Sequence, residues 1–418
     1  MSLTADPQPT AADSDSLFSW EAHYRCHGRP IVGDDVVHWL LTDGHRTKDN
    51  AELADKYCWR LIGEGIPLWR ATLSLSTLHP QFLGYGLRWW RDREFVEEVH
   101  IRHGAGLSSD YLDSPMRPAM ERGETVRYRL DEPAAARFPL LVALRAAGGT
   151  DYLACPLTFL GRRHQVVTWT TDRPGGFTDA HVAEIKKSLP ALGVVVEAKA
   201  MRKVMANVLD TYLGRTIGRH ILNGEIRRSE GQHVRGMLLA TDLRGFTALS
   251  DRLPSGELIA LLDEYFDAVT SPIEAHGGEV LKFVGDGVLA FFELGAAAER
   301  DTARAALAAA EEALARLEAI NLQRLDANQP AIRIGVGLHV GTVTYGNVGA
   351  ADRLDFTVIG PAVNLACRLE SLTKRLDRPL VMSHEFAKIC ALPLVSLGFH
   401  PVRGLSEPEE VFGLPALE

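Results

Sequence analysis

The chain has 418 residues, of which 46% are hydrophobic and 24% charged, and its net charge is -9. That composition belongs to folded domains rather than disordered sequence, the length calls for two cores rather than one, and the acidic balance argues against a generic nucleic-acid binder. The five cysteines form no C-x-x-C pair and there is no apolar run near 18 residues, so a disulfide framework, a zinc site and a membrane span are not expected.

The first residues, "MSLTADPQPTAADSDS", lack the basic and apolar parts of a signal peptide, and residues 1–17 read as a disordered tail of a cytoplasmic protein. Residues 18–197 mix short helical and strand-like segments, with aromatics at "WLL", "PLWR" and "GLRWWRD". "DYLACPLTFLGRRHQVVTWTTDRPGGFT" predicts two strands joined by a polar turn and followed by a Pro-Gly-Gly loop. His23, His27, His38 and His79 lack tight ligand spacing and read as structural. Val182, Ile185, Leu189, Leu192 and Val196 then recur at helical spacing, and the pattern runs on through Met201, Val204, Met205, Val208 and Tyr212, with Pro190 expected to kink or break it. This stretch, with residues 198–230 as a helical linker, is expected to bridge the domains and to pair with its twin in a dimer.

From 231 to 418 the elements are clearer. "GMLLATD" predicts a buried strand ending in a carboxylate. A helix follows, with Ser255 as its expected N-cap, an apolar face from Leu258 to Ile273 and a stop at Gly277-Gly278. "VLKFVGDGVLAFF" predicts a hairpin with Asp286 at its tip and Lys282 in its first strand. An alanine-rich helix over 296–325 and the strand "AIRIGVGLHVG" complete a βαββαβ order, the signature of a ferredoxin-like sheet with helices on one face. In that order the first strand and the first hairpin strand run the same way. Reading them as neighbours brings Asp242 and Asp286 together, where two like charges call for a divalent cation such as Mg²⁺ or Mn²⁺. "LRGFT" after Asp242 supplies backbone N–H groups, including those of Phe246 and Thr247, for phosphate oxygens. In "DFTVIGPAVNLACRLESL", Pro361 suits a first helical turn, and Asn364 and Arg368, four apart, share one polar face.

Four collinear segments, "LATDLRGFTALSD", "GGEVLKFVGDGVLAFF", "RIGVGLHVGTVTYGNVG" and "FTVIGPAVNLACRLE", make residues 236–415 resemble the catalytic domain of the class III nucleotidyl cyclases, the adenylate and guanylate cyclase family. The resemblance implies two metal ions per site on Asp242 and Asp286. It implies adenine read by Lys282 with Thr357, ribose oriented by Asn364, the transition state met by Arg368, and sites shared across a homodimer. The expected activity is conversion of ATP to 3′,5′-cyclic AMP and pyrophosphate. Two positions depart from the common pattern. Many members have Asp where this chain has Thr357, and the Thr form is similar to a subgroup that includes bicarbonate-responsive cyclases. A late Lys on the triphosphate is replaced here by Arg403 in "PVRGLSEPEEVFGL".

The N-terminal region, expected as an α/β domain, resembles GAF-type sensors, which implies an unidentified small-molecule or ionic effector. Two alternatives stand beside this reading. One is a non-catalytic nucleotide-binding signalling module, disfavoured by the presence of both aspartates, Asn364 and Arg368. The other is a guanylate cyclase, usually marked by an acid at the place of Lys282 and a small polar residue at that of Thr357.

Overall fold

The computed structural model describes residues 18–103, 112–160, 165–224, 231–294, 298–350, 353–403 and 406–415. The expected disordered tail lies outside them. The chain divides into two compact units, Met1–Thr211 and Tyr212–Glu418.

The N-terminal unit contains β1 (Phe18–Arg25), α1 (Val36–Thr42), α2 (Asn50–Gly63), β2 (Arg70–Ser76), β3 (Phe82–Trp90), β4 (Phe95–Arg102), α3 (Arg117–Arg122), β5 (Val126–Arg129), α4 (Pro139–Ala146), β6 (Asp151–Leu157) and β7 (Gln165–Thr171). The strands form a seven-stranded sheet in the order β1-β4-β3-β2-β7-β6-β5. Each pairing is antiparallel, so the unit is α+β and not the α/β class expected from the sequence. Period-two alternation gives each face its own core. Leu73, Leu87, Trp89 and Trp169 pack with Leu53, Tyr57 and Leu61 of α2 on one side. Trp90, Tyr152 and Val166 pack with Ala119, Leu141 and Leu144 on the other.

The first core is closed by α5 (Asp179–Leu213), a single 35-residue helix that continues unbroken past Pro190. The expected break does not occur because Pro190 lies on the solvent side, where water can serve the carbonyl that its missing N–H leaves free. The opposite stripe, Ile185, Ala191, Leu192, Val195 and Val196, is buried. Further along, Lys199 donates to the carbonyls of His45 and Thr47, and Lys203 to Glu98. Met201, Met205 and Tyr212 of the predicted stripe are exposed.

The C-terminal unit holds α6 (Arg215–Leu222), β8 (Gly231–Leu243), α7 (Phe246–Arg252), α8 (Ser255–Ala275), β9 (Glu279–Val284), β10 (Gly287–Glu293), α9 (Glu299–Asp326), β11 (Ile334–Ala350), β12 (Arg353–Ile359), α10 (Pro361–Leu376), β13 (Leu380–Ser383), α11 (His384–Cys390), β14 (Val395–His400) and β15 (Glu409–Gly413). Ser255 opens α8, but the cap position is Pro254 and no side chain caps the helix. The strands form an eight-stranded sheet in the order β14-β15-β13-β11-β8-β10-β9, with β12 paired to β11. One strand relation differs from expectation. β8 pairs with β10, the second hairpin strand, and β9 lies beyond it. Interposing β10 lets both of its neighbours pair antiparallel to it, which a direct β8–β9 pairing would not allow.

Alternate residues of β8 again serve two faces. Met237 and Leu239 meet Leu261, Tyr265 and Val269 of α8 and the alanines of α9. Leu238 and Ala240 meet Ala362 and Ala366 of α10 on the opposite face, so helices cover both sides rather than one. Helix α10 lies unusually close because β11 presents glycines to it. A Cβ at Gly337 would come within 2.3 Å of the Ala366 carbonyl oxygen, and one at Gly335 within 2.6 Å of Glu370 Oε1.

Candidate active site

The C-terminal end of β8 carries Asp242, and its parity with Leu238 and Ala240 places it on the α10 face. Gly285, at φ 63, opens the hairpin turn that presents Asp286. Gly287 then lets β10 start against Asp242: a Cβ there would lie 2.9 Å from the Thr241 carbonyl oxygen and 3.3 Å from Asp242 Oδ1. Beneath, Thr241 and Tyr265 join hydroxyls at 2.6 Å and anchor β8 to α8.

These constraints bring the two carboxyl groups, 44 positions apart, within hydrogen-bond reach of each other. Burial raises the Asp242 pKa first, and the charge of Asp286 and a shared hydrogen bond raise it further. Glu370 belongs to the same environment. Its carboxyl lies over Gly335, the residue paired with Asp242. Burial and then the charge of Asp242 push its pKa up to about 7, although Ser371 and Arg244 act the other way. Arg244 is the adjacent cation, and its guanidinium donates to the carbonyls of Thr373 and Arg378 at 3.2 and 2.6 Å, which fixes it to the end of α10.

Two adjoining carboxylates, of which Asp242 has its proton affinity raised by burial and by the charge of Asp286, fit a hard divalent cation, which would relieve their repulsion. Among the described residues no group of three His, Cys, Asp or Glu side chains is spaced to hold a metal. A cation held by Asp242 and Asp286 would therefore draw the rest of its shell from water and substrate oxygens.

Lys282 and Thr357 come to one region of the sheet. Lys282 stands opposite Leu289 on the α10 face of β9, and Thr357 opposite Gly346 in the β11–β12 hairpin. The Lys282 ammonium is not on Thr357, however. It donates to Asp355 Oδ2 at 3.2 Å. The Thr357 hydroxyl is buried without a hydrogen-bond partner among the described residues.

Asn364 is exposed and Arg368 half-buried on α10. Ala362 meets Gly341, Ala366 meets Gly337 and Glu370 meets Gly335, so the helix runs along β11 toward Asp242. Asn364 is six residues, about 9 Å of helix, short of Glu370 at the aspartate end. Among the described residues neither side chain makes a hydrogen bond or ion pair with Asp242 or Asp286 of the same subunit. Phe246 and Thr247 form the first turn of α7, where backbone N–H groups lack intrahelical acceptors. Arg403 is exposed between β14 and β15.

The sequence reading missed Asp355, Glu370 and Arg244. For Glu370 a signal existed: the alternate glycines at 335 and 337 mark the close approach of a backbone. For Asp355 it was the two-residue spacing from Thr357 along one strand face.

Residues 232–392 match the family described as adenylate and guanylate cyclase catalytic domain. A cyclase catalytic domain therefore occupies this part of the chain, which is less than half of its length. The chain is 39% identical over 153 residues to adenylate cyclase 1 of Rhizobium meliloti, covering 36% of this chain and 22% of that protein. It is 32% identical over 157 residues to an adenylate cyclase of Anabaena cylindrica, covering 37% of this chain and 31% of that protein. The chain thus spans between about a fifth and a third of the length of these curated relatives. A solved bacterial light-regulated adenylyl cyclase shares 32% identity, with 44% of this chain and 91% of that chain covered and a TM-score of 0.39.

Proposed function

We propose that the C-terminal domain is an adenylate cyclase that converts ATP to 3′,5′-cyclic AMP and pyrophosphate. The observation that carries this reading is the convergence of Asp242 and Asp286 at the ends of β8 and the β9–β10 turn, with no basic side chain among the described residues bridging them. Two Mg²⁺ or Mn²⁺ ions on these carboxylates would supply Lewis-acid activation of the ribose 3′-hydroxyl and neutralise the triphosphate.

The chain's own groups take the remaining tasks. The N–H groups of Phe246 and Thr247 donate to phosphate oxygens. Lys282 donates to the adenine ring with the Thr357 hydroxyl beside it, and Asn364 bonds the ribose. Arg368 stabilises charge gathering on the α-phosphorus, a contribution of about 3 kcal/mol for a preorganised donor, and Arg403 faces the triphosphate.

The displacement of Asn364 along α10 from the aspartates supports a site completed by a second copy, each subunit supplying aspartates to one site and Asn364 with Arg368 to the other. Exposed Phe283, Val284 and Ile259 offer an apolar surface for that contact. The strand order β11-β8-β10-β9 supports a ferredoxin-like core. The antiparallel N-terminal sheet closed by α2 and α5 supports a GAF-type sensor acting through α5.

The test is incubation of the purified chain with ATP or GTP and Mg²⁺ or Mn²⁺. Cyclic AMP as the main product is expected. Cyclic GMP alone would overturn the base assignment, and no cyclic nucleotide with either metal would overturn the enzyme reading.

A further inference from the structure

The Lys282–Asp355 pair joins two strands that share no backbone ladder. β9 ends the main sheet path, and β12 hangs from β11. Their side chains are 34% and 62% exposed, and a pair so open to water adds little to stability. Its geometric effect is larger. A lysine tip on four rotatable bonds samples a wide volume, and one carboxylate acceptor confines it. Asp355 and Thr357 are two apart on β12, so both face the same way. The Thr357 hydroxyl, buried and unpartnered, is in no position to do the confining, since Lys282 donates elsewhere.

We propose that Asp355 is a positioning residue for base recognition, holding the Lys282 ammonium where it meets N1 of adenine. The inference rests on the base-reading role given above to Lys282. An ammonium carries three donors, and one on Asp355 leaves two for substrate. Adenine offers an acceptor at N1 and a donor at its amino group, which a fixed Lys and a free hydroxyl match. Guanine offers an acceptor at its 6-oxo group and a donor at N1, and an untethered lysine can swing to that oxo group. Asp355 therefore narrows the choice of base by limiting where Lys282 can reach.

Equilibrium binding of 3′-deoxy-ATP and 3′-deoxy-GTP with Mg²⁺ tests this whether or not the protein turns over, because both analogues lack the hydroxyl that would cyclise. Asp355→Asn should weaken 3′-deoxy-ATP by about tenfold and leave 3′-deoxy-GTP within about twofold. Asp355→Glu should restore most of the preference. In the Lys282→Ala background Asp355→Asn should add nothing, as expected of a group acting through another. An unchanged ratio in folded Asp355→Asn, with Lys282→Ala altering it, overturns the positioning role alone. An unchanged ratio in Lys282→Ala overturns the base-reading role and the inference with it.

Discussion

Carboxylates withdrawn from solvent occur in both units, buried in the first and half-buried in the second, and are treated in opposite ways. In the N-terminal unit Asp151 receives Arg127 at 2.8 Å and the Phe177 N–H at 3.0 Å. Asp55 accepts from the Trp89 indole and the His27 N–H, and Glu98 from Lys203. In the C-terminal unit burial and the charge of Asp286 raise the proton affinity of Asp242, burial and the charge of Asp242 raise that of Glu370, and Arg244 donates to the carbonyls of Thr373 and Arg378 instead. A satisfied carboxylate holds a fold together, while a group of unsatisfied ones is costly until something cationic arrives. The first arrangement is structural and the second has the form of a site.

The sharpest way to break this contrast is to remove one carboxylate from each unit. Asp286→Ala should lower cyclase turnover by at least about 10³-fold and leave the metal-free melting temperature unchanged or slightly higher, because a repulsion is lost. Asp151→Ala should spare the chemistry and cost the N-terminal unit about 2–4 kcal/mol, because Arg127 and the Phe177 N–H lose their acceptor. Denaturant melts with parallel activity assays read both. The reverse pattern would erase the distinction.

The second effect is smaller and depends on pH. Glu370 rises from the ordinary 4.5 to about 7, and Asp242 is raised as well. Groups that hold protons more tightly when folded stabilise the fold at low pH, and that stabilisation is lost as pH rises through the folded values. Metal-free protein should therefore melt several degrees lower at pH 8 than at pH 5.5 in the C-terminal transition, with most of the loss between about pH 4.5 and 7. Mg²⁺ or Mn²⁺ should restore it at the higher pH, and Glu370→Gln should flatten the profile. Calorimetry across pH measures this, and a Glu370→Gln profile identical to wild type would contradict the assignment.

Much of the site was legible because turns and strand ends leave strong local marks. The glycines around Asp286 and the apolar run before Asp242 placed both aspartates, even though the strand between them was misassigned. Neighbouring in a sheet depends on which hairpin strand inserts, and parity alone does not encode that. Glu370 was hidden by its setting, since a polar residue between Leu369 and Leu372 reads as helix surface until Gly335 and Gly337 show how close the helix lies. Pro190 misled because propensity takes no account of which side of a helix faces water. The N-terminal strands were visible singly, but their antiparallel order arises from long-range pairings such as Arg70 with Thr170.

In the proposed enzyme the aspartates of one subunit and Arg368 of another form one cyclase site. Asp242→Ala and Arg368→Ala chains should each be inactive, and mixing them with subunit exchange should restore activity. Random pairing makes about half of the dimers mixed, each with one intact site, so recovery should approach roughly a quarter of the wild-type rate. If heterodimers form and remain inactive, both sets of residues serve the same subunit, and the shared site is contradicted.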